Sequence, residues 1–194
     1  MKPTLIALLA LFLSLPLVAA DKDKPLPKDF KLLKLFAEKG VAPAQFNLGI
    51  IYDKGQGVGQ DFEEAFKWYR KAADQGDVSA QCNIGAMYAD GRGVERDFKE
   101  AVKWTRKAAE QGHAEAQFNL GAMYDKGQMV RQNFKEAFKW YRKAADQKAA
   151  PAQSKLGFMY QRGEGVEQDF KEAVKWYQKA ADQGYAFAQS GFPD

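Results

Sequence analysis

The stretch PAQFNLGIIYDKGQGVGQDFEEAFKWYRKAADQG, residues 43–76, returns in phase as SAQCNIGAMYADGRGVERDFKEAVKWTRKAAEQG, residues 79–112. It returns twice more, and Trp68, Trp104, Trp140 and Trp176 keep a constant spacing with no insertion. A fixed period of this size is the signature of stacked helical units, none of which can bury its apolar face alone. The chain therefore reads as an all-α solenoid of four helix-turn-helix repeats plus a truncated fifth.

The copies begin at Gly40, Gly76, Gly112 and Lys148, which sets units at 40–75, 76–111, 112–147 and 148–183. A fifth, 184–194, begins at Gly184 and stops early. In the first helix of each unit Ala44, Leu48 and Tyr52 share a face with Gln45, and Gly55 supplies a stop signal. The second helix opens on Asp61 with Glu64, a capping box in which each side chain satisfies backbone N–H groups. Asp97 with Glu100, Asn133 with Glu136 and Asp169 with Glu172 repeat it. Gly49, Gly85, Gly121 and Gly157 fall in mid-helix, where each costs ~1 kcal/mol against alanine. Close helix approach explains their recurrence, and the tryptophans are expected to pack there.

The ends differ from the repeats. Residues 1–20 read as a cleavable signal peptide: Lys2, an apolar run from Leu5 to Leu17, then small residues before Asp21, with cleavage after Ala20. Residues 21–28 are charged and proline-bearing, a flexible tether, and residues 29–39 form a capping helix with Phe30, Leu33 and Phe36 apolar. Beyond Gln189 the pattern breaks, which leaves the last unit partly covered. This suggests self-association through that end or a chain shortened from a longer parent. The expected location is periplasmic or secreted, with no stable membrane insertion after signal cleavage.

Composition excludes several classes of function. The chain has 29 basic and 25 acidic residues, a net charge of +4, and the signs are interspersed. No clustered basic face exists to hold nucleic acid. Cys82 and His113 are the only residues of their kinds, too few for a zinc site, and nothing in the sequence fixes their approach as a nucleophile and base. The Gly-x-Gly at Gly91 and Gly93 follows no strand, so it is no phosphate loop. No catalytic residue, metal or cofactor is expected.

Stacked helix pairs make extended surfaces that hold partners. The residues opposite the repeated seam of the first helix change between copies while their neighbours do not. They are Pro43, Phe46, Ile50 and Asp53; Ser79, Cys82, Ala86 and Ala89; Glu115, Phe118, Ala122 and Asp125; and Pro151, Ser154, Phe158 and Gln161. This stripe is apolar enough to accept a partner's helix or extended peptide. Burial between adjacent units is the alternative explanation.

The pattern Ala-x-Ala-Gln-x-x-Leu-Gly-x-x-Tyr, Gly-x-Gly-Val-x-x-Asp, Ala-x-x-Trp-x-x-x-Ala-Ala-x-Gln-Gly resembles the Sel-1-like repeat family, relatives of the tetratricopeptide repeat. Gly55, Gly57, Val58 and Asp61 carry the loop part, as do Gly91, Gly93, Val94 and Asp97, and Gly163, Gly165, Val166 and Asp169. The resemblance implies a right-handed α/α superhelix, in bacteria an exported adaptor for protein–protein contacts, with the concave groove as the partner site. Some cysteine-rich members are linked to β-lactam binding or hydrolysis, which is the alternative function. Those carry paired cysteines in each repeat, whereas Cys82 is alone here. Met129, Asn133 and Lys148 depart from the pattern, and tolerance of other residues is expected at the loop position of Met129.

Overall fold

The computed structural model describes residues 28–185. The signal peptide, nearly all of the tether and most of the fifth unit lie outside the described residues. Among the described residues there are helices and turns and no strand. The order is α1 (Lys28–Glu38), α2 (Ala42–Lys54), α3 (Phe62–Asp74), α4 (Val78–Asp90), α5 (Phe98–Glu110), α6 (Ala114–Lys126), α7 (Phe134–Asp146), α8 (Ala150–Arg162) and α9 (Phe170–Ala181). Two compact units divide the chain at Asp97 and Phe98, the first with α1–α4 and the second with α5–α9.

In the first unit α2 packs on α1 and α3, and α3 packs on α4. The helices end where the sequence places stop signals. Gly55 takes the left-handed conformation at φ 67° and its N–H returns to the Ile51 carbonyl. Asp61 caps α3 by accepting from the Glu64 N–H at 2.9 Å. The capping box is only half made, however. The Asp61 N–H donates to the Tyr52 carbonyl, and the Glu64 carboxylate turns away to Lys67 at 2.7 Å. A tyrosine carbonyl at the end of each first helix thus replaces the glutamate expected from the sequence. The second unit repeats this at Asn133 with Tyr124 and at Asp169 with Tyr160.

The mid-helix glycines do permit a close approach, but the tryptophans are not what approaches. A Cβ on Gly49 would lie 2.5 Å from Cδ1 of Tyr69. Gly121 and Gly157 receive Tyr141 and Tyr177 in the same way. The tryptophans fill a different junction. Trp68 joins Phe30, Leu33 and Ala37 of α1 to Ala44, Leu48 and Ile51 of α2. In the second unit Trp176 packs with Ala144 and Ala145 of α7 and Ala152, Leu156 and Met159 of α8. Trp68 and Trp176 therefore each tie their own repeat to the helix that precedes it.

The recurring glutamine staples the same junction. Gln45 Nε2 donates to the Ala37 carbonyl at 3.0 Å, and Gln81 reaches Ala73 at 3.2 Å. In the second unit Gln117 reaches Ala109 at 3.0 Å and Gln153 reaches Ala145 at 3.3 Å. These carbonyls belong to the last turn of a helix and also accept from the N–H of the turn that follows, so the glutamine takes the second lone pair. The glutamine oxygen is used as well: Gln75 donates to Gln45, and Gln147 and Gln183 to Gln117 and Gln153.

Met129 does not mark a tolerant position. It is held at φ 67°, and Lys148 at 65°, the non-glycine residues with left-handed backbone among those described. A Cβ on Gly93 would lie 2.0 Å from the Phe62 carbonyl oxygen, and one on Gly165 2.2 Å from that of Phe134. The loop glycine thus lets the turn lie on the start of the preceding second helix. Methionine cannot approach so closely. Phe98, which occupies that helix start in the third copy's case, is 46% exposed, whereas Phe62 and Phe134 are half-buried.

Candidate partner-binding face

The variable stripe lies on the first helix of each repeat, and the two units are taken in turn. In the first, α2 presents Phe46, Ile50 and Asp53, all half-buried, and Pro43, exposed. Phe46 lies against Tyr69 with ring centroids 5.7 Å apart. Asp53 faces Arg92 at 3.7 Å. Its charge, after burial, is the second cause that pushes the Tyr69 phenol above its ordinary range, opposed by a hydrogen bond to Asn83 and by Arg92. On α4, Cys82 is buried, and Ala86 and Ala89 are half-buried.

In the second unit α6 presents Phe118, Ala122 and Asp125, all half-buried. Phe118 packs on Tyr141 at 5.5 Å, as Phe46 does on Tyr69. The Tyr141 hydroxyl donates to Asp125 at 3.2 Å. Burial and then the Asp125 charge raise the phenol's pKa. Asp125 also meets Lys155 of α8 at 3.6 Å, which sets α6 and α8 side by side. On α8, Ser154 is buried, Gln161 accepts from the Tyr177 hydroxyl at 2.9 Å, and Phe158 is 38% exposed.

The predicted residues thus serve unequal parts. Cys82 and Ser154 are interior. Phe46 and Phe118 cover the buried tyrosines. Asp53 and Asp125 act on the phenols of those two tyrosines, and Gln161 on that of Tyr177. Phe158 is the large apolar side chain of the stripe that faces solvent. Lys155 Nζ lies 5.9 Å and Arg162 Cζ 5.2 Å from its ring centre. Sequence reasoning passed over these two cations, although Lys155 stands where the other copies have Asn47, Asn83 and Asn119. His113 caps α6 by accepting from the Ala116 N–H through Nδ1. Among the described residues no helix is long and apolar enough to cross a membrane.

Paired helices stapled in a constant phase, with the variable positions gathered on one helix of each pair, define a helical-repeat protein. The Sel1 repeat model matches residues 42–77, 78–113, 114–148 and 150–185, and the chain belongs to that family. Sel1 repeat proteins generally mediate protein–protein interaction. Among solved structures, c5321, a protective antigen present in uropathogenic Escherichia coli strains, is similar with a TM-score of 0.80 and 40% identity. The match covers 84% of this chain and 35% of that one, so the chain spans about a third of that relative. A Sel1 repeat protein from Oxalobacter formigenes has a TM-score of 0.77 and 36% identity over 82% of this chain and 64% of that chain. The immunity protein PA5088 from Pseudomonas aeruginosa has a TM-score of 0.62 and 25% identity over 97% of this chain and 68% of its own. No curated protein matches the chain significantly.

Proposed function

We propose that this protein is an exported, non-enzymatic adaptor that holds a protein or peptide partner on the face formed by its first helices, the concave groove of the solenoid. The observation that carries this reading is the division of labour within the repeat. Residues that staple the solenoid recur, whereas Ile50, Ala86, Ala122 and Phe158, at one position of successive first helices, range from alanine to phenylalanine and none is buried. Phe158 is both apolar and exposed, as a docking anchor must be. The likeness to an immunity protein agrees with a protein partner. Residues 1–20, with the basic start, the apolar run and the small residues before Asp21, act as the signal that directs the chain to the periplasm or beyond.

A photo-crosslinking amino acid at position 50 or 158, used in envelope extract, tests the site. Adducts should form from these positions and not from positions 67 or 139, which lie on the exposed face of second helices. Adducts from the second-helix positions alone would place the partner elsewhere and end this reading.

A further inference from the structure

The fourth repeat departs from the others in a coordinated way. At the position of Phe46 and Phe118 it has Ser154, which is buried, and its aromatic residue stands one turn later as Phe158. Phe46 and Phe118 each rest on a tyrosine ring. Phe158 is instead flanked by cations, one of which, Lys155, replaces an asparagine found in every other copy.

The charges around it are unbalanced. Asp125 is already engaged by the Tyr141 hydroxyl and by Lys155. Arg162 stands in the last turn of α8 and makes no ion pair among the described residues. Lys126, in the last turn of α6, is exposed. Lys155 and Arg162 therefore flank the exposed ring on α8, and Lys126 adds a third cation at the end of α6, against one carboxylate that is already satisfied. Carbonyl groups at helix ends add negative potential there, which cations offset within the protein. A surface of this kind favours a partner of opposite charge through both encounter rate and specificity.

We propose that the α6–α8 face takes an acidic peptide segment of a partner protein, with an apolar side chain against Phe158 and Ala122 and a carboxylate at Arg162 and Lys155. This rests on the reading that the first-helix face binds protein.

The test uses amide NMR spectra of the whole protein titrated with three synthetic peptides. They share length and two phenylalanines and differ only in glutamate, glutamine or lysine between them. The acidic peptide should shift amides of α6 and α8, and should weaken about tenfold when salt rises from ~0.05 to ~0.5 M, as screening requires. Arg162→Gln and Phe158→Ser should each weaken it by about tenfold, as truncated anchors do, while both keep the parent spectrum elsewhere. Equal binding of the neutral or basic peptide on the same amides would overturn the acidic preference and leave the binding face standing. If no peptide shifts first-helix amides, or shifts appear on second helices alone, both the preference and the face are wrong.

Discussion

Gly49 is glycine because Tyr69 occupies the space that a side chain there would need. The virtual Cβ lies 2.5 Å from the ring, and the ring belongs to a residue that is 2% exposed and has nowhere to retreat. Two effects of substitution oppose each other. Alanine gains ~1 kcal/mol in helix propensity, and overpacking a filled site costs about 1–3 kcal/mol. The geometry puts this site at the high end, so Gly49→Ala should lower the melting temperature by roughly 2–8 °C, from a net loss of about 1–2 kcal/mol. A rise in melting temperature, read by circular dichroism, would mean that the notch is loose. The sequence showed that a notch exists and not what fills it. Trp68 and Tyr69 are neighbours on the same helix, and both lie within its apolar arc. Periodicity alone cannot say which of them points at α2 and which at α1.

At the scale of the element, helix ends carry most of what the sequence left unread. The stop glycines and the capping residues were legible because each needs a particular side chain at a particular place. The reciprocal half of the capping box was not, since a tyrosine carbonyl from the previous helix serves the Asp61, Asn133 and Asp169 amides equally well. The glutamine staple was visible only as recurrence, because its partner lies in the preceding repeat.

The same helix pairs bury the phenols of Tyr69 and Tyr141, and this gives them a pH dependence. Burial is the larger cause in both, followed by a carboxylate, Asp53 or Asp125, and each holds its phenol above the ordinary tyrosine range. A phenol raised in the folded state stabilises the fold fully below its unfolded pKa. That contribution falls as pH rises above about 10. Helical circular dichroism should therefore be lost together with the last rise in phenolate absorbance during an alkaline titration. If all the tyrosines ionise while the helices persist, the phenols are not buried as described.

Across the molecule, repetition made the architecture readable and variation pointed to the site. Four in-phase copies separated stapling residues such as Gln45 and Trp68 from the changing positions of the first helices. What they could not separate was exposure from burial within the changing set. Cys82 and Ser154 vary and are interior, because a small buried side chain can change without consequence for a neighbour that adjusts. Phe158 varies and is exposed. The cations beside it became visible once the ring's position was known, although the replacement of asparagine by Lys155 was present in the sequence throughout. The non-glycine turns at Met129 and Lys148 likewise needed backbone angles before they could be read as strain.

In the proposed adaptor the first helices, and not the second, meet the partner. Hydrogen exchange of the protein alone and with its crosslinked partner protein tests it most directly. Protection should deepen along α6 and α8, and on α2 and α4, while α3, α5 and α7 keep their free rates. Protection confined to the second helices, with the first helices unchanged, would contradict the account.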